Sequence, residues 1–428
     1  MTMKHAPSGA FFVALAALLS PLAHAELTIE ISQRLDSAIP VEVAQFDGFQ
    51  VAENIGAIIR QDLDRSGDLR AVSAALQPLD PEDPANLAAA RGAPDLRVSG
   101  QVSRVPDGRY RFQYRLYNAA RGETLLTESL LAGSGRWREV AHLISDRIYQ
   151  KITGFRGIFS TRLLFVQEYR QGKRSRYRLA MSDADGRRQV TVLDSDEPVM
   201  APSWAPNARQ VAYVSFESGR AGVYVHDLAS RQRQLVSEGQ GIASAPAWSP
   251  DGRRLALSLS RDGNPELYVL TLATRDLQRV TQHPAIDTEP RWSPDGQTLY
   301  FTSDRGGAPQ IYKVAAAGGE PRRVTFSGRF NARCDISPQG DRLAVVHEGR
   351  GGYQIAVQDL RNGIMDDITQ TPLDGSPSFA PNGRQLIYST RVGNRHLLAI
   401  SSVDGRFNMR LPPLEGLVRE PAWSPFLQ

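Results

Sequence analysis

From about residue 160 onward the chain alternates short apolar runs with polar turns, and the runs return at a fixed interval. In the stretch 243–282 an apolar segment carrying Trp248 meets Ser249-Pro250-Asp251-Gly252. Arg254 to Ser260, Glu266 to Leu272 and Gln278 to Thr281 follow, separated by Arg261-Asp262-Gly263-Asn264 and Thr274-Arg275-Asp276. Proline presets φ for the first central position of a type I turn, aspartate suits the second, and glycine takes the positive φ that closes a bulged hairpin. Each unit therefore reads as four antiparallel strands. The residues at the anchor position, Trp204, Trp248, Trp292, Ile336, Phe379 and Trp423, stand 44, 44, 44, 43 and 44 apart, and Tyr224, Tyr268 and Tyr312 keep the same interval. Self-similarity at this period, with strands inside each unit, predicts propeller blades.

The two ends of the array predict how it closes. The first unit has later strands at Arg162 to Gln167, Tyr177 to Ser182 and Gln189 to Leu193 but no anchor strand, and the last anchor strand, Glu420 to Ser424, has nothing after it. Joined, they make a sixth blade and remove the open sheet edges of an unclosed array.

Ahead of the propeller the periodicity changes. Val41 to Phe46 is strand-like, and Ala52 to Arg65 places Ile55, Ile58, Ile59 and Leu63 at helical spacing before Ser66-Gly67-Asp68. Gln77 to Pro84 reads as an acidic, proline-rich loop; Leu96 to Val102, Tyr110 to Tyr117 and Thr124 to Leu131 read as strands. Trp137 to Ile152 is a closing helix that ends at Thr153-Gly154. The order suggests a small α/β domain, a sheet packed against helices. Leu27, Ile29 and Ile31 alternate with polar residues, so Glu26 to Gln33 predicts a one-faced strand that pairs within its own domain or adds to a partner's sheet. Residues 1–25 read as a cleaved export signal, with Lys4, an apolar run from Ala10 to Leu19 and a small-x-small site at Ala23-His24-Ala25. The run is too short to span a bilayer. The expected organisation is signal peptide 1–25, α/β domain 26–156 and six-bladed propeller 157–428.

Charge and chemistry change this picture little. The net charge is +4, and the arginines are spread over repeat turns with only Lys4, Lys151, Lys173 and Lys313 beside them, which argues against nucleic acid as a partner. Cys334 is the single cysteine, so no internal disulfide forms, and its place two residues before an anchor predicts a buried thiol. No G-x-S-x-G, phosphate-loop or dinucleotide motif occurs. His226, His283 and His347 lack metal-ligand spacing and read as blade or loop residues. Asp185-Gly186, Asp262-Gly263 and Asp404-Gly405 sit where hairpins must turn, not where calcium loops are needed. No catalytic, cofactor or metal site is expected. The segments before each anchor, at 198–201, 240–245, 285–289, 331–333, 374–376 and 417–420, read as loops on one face that differ between repeats. Such divergence suits a partner-binding face, and drift of surface loops explains it equally.

The signal, the α/β domain, the W-S-P-D-G repeats and the ending Asp404-Gly405-Arg406-Phe407 … Glu420-Pro421-Ala422-Trp423-Ser424-Pro425 resemble the TolB family, the periplasmic component of the Tol-Pal system. Phe216-Glu217-Ser218-Gly219-Arg220 and Gln310-Ile311-Tyr312-Lys313-Val314 strengthen the likeness, which covers essentially the whole chain; the fourth anchor, Ile336 with Cys334 near it, departs from the family pattern. The resemblance implies a non-enzymatic periplasmic adaptor, monomeric on its own, that supports outer-membrane integrity and constriction during division. Its implied partners are the Pal lipoprotein and the C-terminal domain of TolA, with other outer-membrane proteins as further candidates. On that basis Glu26, Leu27, Thr28, Ile29, Glu30 and Ile31 become the TolA-contacting candidates. Ile242, Ala245, Thr288 and Glu289 match positions where the family meets Pal, and Met200, Ser244, Arg333 and Glu420 join them by repeat equivalence. The alternative is a periplasmic propeller that binds a small ligand or cell-wall fragment in its channel.

Overall fold

A computed structural model describes residues 29–30, 38–73, 94–238 and 243–427. The expected signal segment, the Gln77 to Pro84 loop, Glu26, Leu27, Thr28, Ile31 and Ile242 lie outside these residues.

The N-terminal domain is a mixed sheet with strand order Leu69–Ser73, Ile39–Val43, Leu96–Arg104, Tyr110–Asn118 and Glu123–Ala132, the first three parallel. Helices α1, Ile55–Asp64, and α2, Trp137–Thr153, supply the rest of its core. The alternation read from the sequence is the alternation of burial: Phe112, Tyr114 and Leu116 face Ile58, Ile59, Val140 and Ile144. α1 starts three residues later than expected because the Asn54 side chain accepts from the Ala57 N–H at 3.0 Å and caps the helix there. The Leu69–Ser73 strand carries no alternation long enough to announce itself; it is held by its parallel neighbour Ile39–Val43.

The propeller has six blades. Five are formed in chain order, with innermost strands Val199–Trp204, Ala243–Trp248, Asp287–Trp292, Asn331–Ile336 and Gly375–Phe379 (blades two to six). Blade one pairs Arg162–Gln171, Arg174–Asp183 and Val190–Ser195 with the last strand of the chain, Leu417–Trp423. Ser424 completes the seam: its N–H donates to the Arg162 carbonyl at 2.9 Å, and its hydroxyl accepts from the Arg162 N–H at 2.9 Å. The anchor side chains bind neighbouring blades together. The indole N–H of Trp204 donates to the Ala422 carbonyl at 3.1 Å and that of Trp292 to the Ala247 carbonyl at 3.0 Å. The three tyrosines of the repeat are buried, as is Cys334, whose thiol burial pushes its pKa up.

The turn after each anchor follows its chemistry. Ser249 Oγ accepts from the Arg254 N–H at 2.9 Å, Asp251 Oδ1 accepts from the Arg253 N–H at 3.0 Å, and Gly252 has φ of 69°. Blade two places Ala208 at that glycine's position with φ of 54°. A Cβ in the left-handed region is disfavoured by about 1–2 kcal/mol, partly offset by the extra unfolded-state entropy of glycine. Ala208→Gly is therefore expected to stabilise the propeller by about 0.5–1 kcal/mol, read as a higher urea midpoint at unchanged slope.

One expectation is corrected. The N-terminal strand does not pair within its own domain. Ile29–Glu30 adds antiparallel to Asn408–Arg410, the outermost strand of blade six, with Ile29 opposite Met409 and Glu30 opposite Asn408. The physical reason is available edge: an outermost strand leaves one row of backbone N–H and C=O groups unpaired, and a short strand crossing from the other domain can take them.

Candidate functional site

The six innermost strands surround a channel. Each breaks register once, between Met200/Ser203, Ser244/Ala247, Thr288/Arg291, Ala332/Asp335, Gly375/Ser378 and Arg419/Ala422. The extra residue is Ala201, Ala245, Glu289, Arg333, Ser376 or Glu420, all non-glycine and all at φ between 50° and 57°. Five of the six precede proline, which has no N–H to give the ladder; the sixth, Arg333, precedes Cys334. A bulge with a left-handed first residue re-aims side chain and amide away from the sheet. Here the six residues are aimed at one mouth of the channel, where they line a cavity of about 140 Å³. Non-glycine residues held in this region are strained by on the order of 1 kcal/mol each. A six-fold repetition of that strain around one opening makes the mouth the candidate site.

The ring is polar and internally tied. Arg333 lies across it, its Nε 3.0 Å from Glu289 Oε1, its Nη1 donating to Ser376 Oγ at 2.8 Å and standing 3.7 Å from Glu420 Oε1. Glu289 Oε2 accepts from the Arg333 N–H at 3.0 Å and from Thr302 Oγ1 at 2.9 Å, and Glu420 Oε2 accepts from the Ala201 N–H at 2.6 Å. The opposite mouth is apolar, walled by Trp204, Trp248, Trp292, Phe379 and Trp423, with the Arg291–Asp335 pair (3.5 Å) between the two. Seven of the eight residues assigned by resemblance to the propeller face, Met200, Ser244, Ala245, Thr288, Glu289, Arg333 and Glu420, line the polar mouth together. They do not stand in loops, as the sequence reading expected, but inside the innermost strands, at or beside the bulges. Their mixed small and polar composition concealed the strands. Ala201 and Ser376 complete the ring and were missed; the signal was the residue three before each anchor, always the one before the proline or its equivalent.

A second polar cluster joins the two domains on the other side of the propeller. Its centre is His142, from α2, with Nδ1 2.7 Å from Asp62 Oδ2 of α1 and Nε2 3.8 Å from Asp183 Oδ2 of blade one. Arg65 holds Asp62 at 3.0 Å, Arg188 and Arg162 hold Asp183 at 2.7 and 2.5 Å, Arg188 also meets Glu139 at 2.6 Å, and Arg138 pairs with Asp185 and Glu53. Burial lowers the His142 pKa, but the facing carboxylates more than offset it and hold it up at about 9. Burial raises the Asp62 and Asp183 pKa values; His142 with the adjacent guanidinium groups wins, and both lie below the ordinary carboxylate range. His142, Asp183 and Asp185 converge closely enough to suggest metal ligands, but guanidinium groups already occupy the cation positions around them. Asp185, read from sequence as turn chemistry alone, is also this interdomain contact. Gln385 donates to the Arg65 and Ser66 carbonyls at 2.8 and 3.0 Å, and Arg384 pairs with Asp68 at 2.6 Å, so the N-terminal domain sits on the turn side of blades one and six. The polar mouth therefore opens on the face away from it. Among the described residues no helix is long and apolar enough to cross a membrane.

Comparison with known proteins addresses the whole chain. Residues 27–125 match the TolB amino-terminal domain and residues 149–427 the TolB beta propeller domain. The Tol-Pal system protein TolB of Acinetobacter baylyi is 52% identical over 428 residues, covering 99% of this chain and 100% of the relative. That of Alcanivorax borkumensis is 49% identical over 419 residues, covering 95% and 94%. The crystal structure of TolB from Acinetobacter baumannii superposes with a TM-score of 0.86 at 40% identity, covering 94% of this chain and all of that one.

Proposed function

The chain belongs to the TolB family, a component of the Tol-Pal system, and from that premise we propose that it is a non-enzymatic periplasmic adaptor with two partner surfaces. The propeller mouth, through Met200, Ser244, Ala245, Thr288, Glu289, Arg333 and Glu420, docks Pal, and Ile242, which lies outside the described residues, joins them by resemblance. The N-terminal segment Glu26 to Ile31 engages the C-terminal domain of TolA. In this role the protein supports outer-membrane integrity and constriction during division.

The observation that carries the reading is the separation of the two surfaces. One is the strained ring at the centre of the open propeller face, and the other is a two-residue strand pinned to the rim of blade six. A strand held by so few backbone bonds, each worth about 1 kcal/mol net, exchanges readily between the blade edge and another sheet. The test is a pull-down of the mature protein from envelope extract with three chains: wild type, a deletion of residues 26–32, and Ala245→Trp. The deletion is expected to lose TolA and keep Pal, and Ala245→Trp, which fills the mouth, to lose Pal and keep TolA. Loss of both partners by either change would refute two separate surfaces.

A further inference from the structure

We propose that the polar mouth seats an acidic side chain, an Asp or Glu carboxylate, of the protein docked on that face, and that Arg333 selects it. The inference rests on the adaptor reading above and goes one step further, to the chemistry of the contact.

The Ala201 N–H reaches Glu420 of blade one, and the Arg333 N–H reaches Glu289 of blade four; in both cases the bulge amide is met by the carboxylate of the preceding blade. The same φ and the same register break occur in the other four blades, so their amides are aimed alike. There the preceding blade offers Ala201, Ala245, Arg333 or Ser376, none of which carries a carboxylate. The amides of Ala245, Glu289, Ser376 and Glu420 thus face the mouth without that cap. Arg333 adds to them: a guanidinium has five N–H donors, the contacts to Glu289, Ser376 and Glu420 use part of that set, and its side chain is 47% exposed.

The acceptors are in the opposite condition. Both carboxylates of the ring are engaged, Glu289 by Arg333 and Thr302 and Glu420 by Ala201 and Arg333. An incoming ammonium or guanidinium would meet donors, whereas an incoming carboxylate would find several. The cavity, about 140 Å³, admits a side chain but not a helix, whose diameter is about 10 Å. Ile286 and Phe326, 47% and 73% exposed, stand in the connections that lead into the innermost strands of blades four and five, and offer apolar surface of the kind that flanks a charged contact in an interface.

The test is calorimetric titration of purified Pal periplasmic domain into the mature protein as wild type, Arg333→Ala, Arg333→Lys and Arg333→Glu, with each surface Asp or Glu of Pal changed in turn to its amide. Thermal melting checks that each variant is folded. Arg333→Ala is expected to weaken binding about tenfold or more, Arg333→Glu further, and Arg333→Lys least, because a charge-assisted contact is lost, reversed or kept. One acid-to-amide change in Pal should weaken binding to wild type and have no added effect on Arg333→Ala. Wild-type affinity in a folded Arg333→Ala, or no Pal carboxylate coupled to Arg333, overturns the proposal while leaving the adaptor reading standing. Failure of Pal to bind wild type overturns both. Competition by free glutamate at millimolar concentration without any coupled Pal residue would assign the mouth to a small carboxylate instead, and the proposal falls.

Discussion

A chain ending at Gly416 is expected not to form a cooperatively folded propeller. Leu417–Trp423 is the innermost strand of blade one, and without it Arg162–Gln171 presents an open edge to the channel. The same pairing ties the end of the chain to its first blade through backbone hydrogen bonds. The single substitution Trp423→Ala separates packing from pairing. The indole is buried, and its N–H donates to Thr161 Oγ1 at 2.8 Å. Its loss should lower stability by about 3–5 kcal/mol, against about 1 kcal/mol for Trp423→Phe, which keeps the ring and forfeits the hydrogen bond. Urea titration followed by far-UV circular dichroism ranks the three. A soluble truncation that melts in one sharp transition would show that the circle does not need its last strand.

The second large effect concerns pH and the seam between domains. His142 is raised from its ordinary value of 6.5 to about 9, so folding favours its protonated form. Its contribution is complete below about pH 6.5 and is lost as pH rises through 9; a shift of this size corresponds to about 3 kcal/mol. Asp62 and Asp183 act with the opposite sign, contributing above the ordinary carboxylate range and losing that contribution in acid. Stability should therefore be greatest near pH 5–6.5 and decline toward pH 9. His142→Leu removes a buried partner from two carboxylates and should cost about 3–5 kcal/mol at pH 7. It should also abolish the decline between pH 6.5 and 9. Parallel denaturation at pH 6, 7.5 and 9 decides the matter: a variant that keeps the wild-type slope would place the titrating group elsewhere.

These two features differ in how far they can be read from the chain. Ring closure was legible because it is a statement about repeats: a missing strand at one end and a spare one at the other. The turns were legible because Ser249, Asp251 and Gly252 each have a backbone task that few residues perform. The domain seam was not. His142 and Asp62 lie 80 residues apart, Asp183 lies in another domain, and no local pattern brings a helical histidine to a blade hairpin. The docking of Ile29–Glu30 was half legible: alternation announced a strand, but which of several open edges it joins depends on how the domains are juxtaposed. The mouth residues were found through resemblance and repeat position, while the bulge that aims them is a property of backbone torsion that composition concealed.

The bulges also bear on how such a protein can change. Because the left-handed φ at the six positions accompanies the register break whatever the side chain, side chains there can vary while the main chain keeps its course. Alanine, glutamate, arginine and serine already occupy equivalent slots. Sequence drift at these positions would therefore change the chemistry of the mouth without disturbing how the blades fold. A library restricted to residues 201, 245, 289, 333, 376 and 420 is a compact place to seek new binding preferences on an unaltered scaffold.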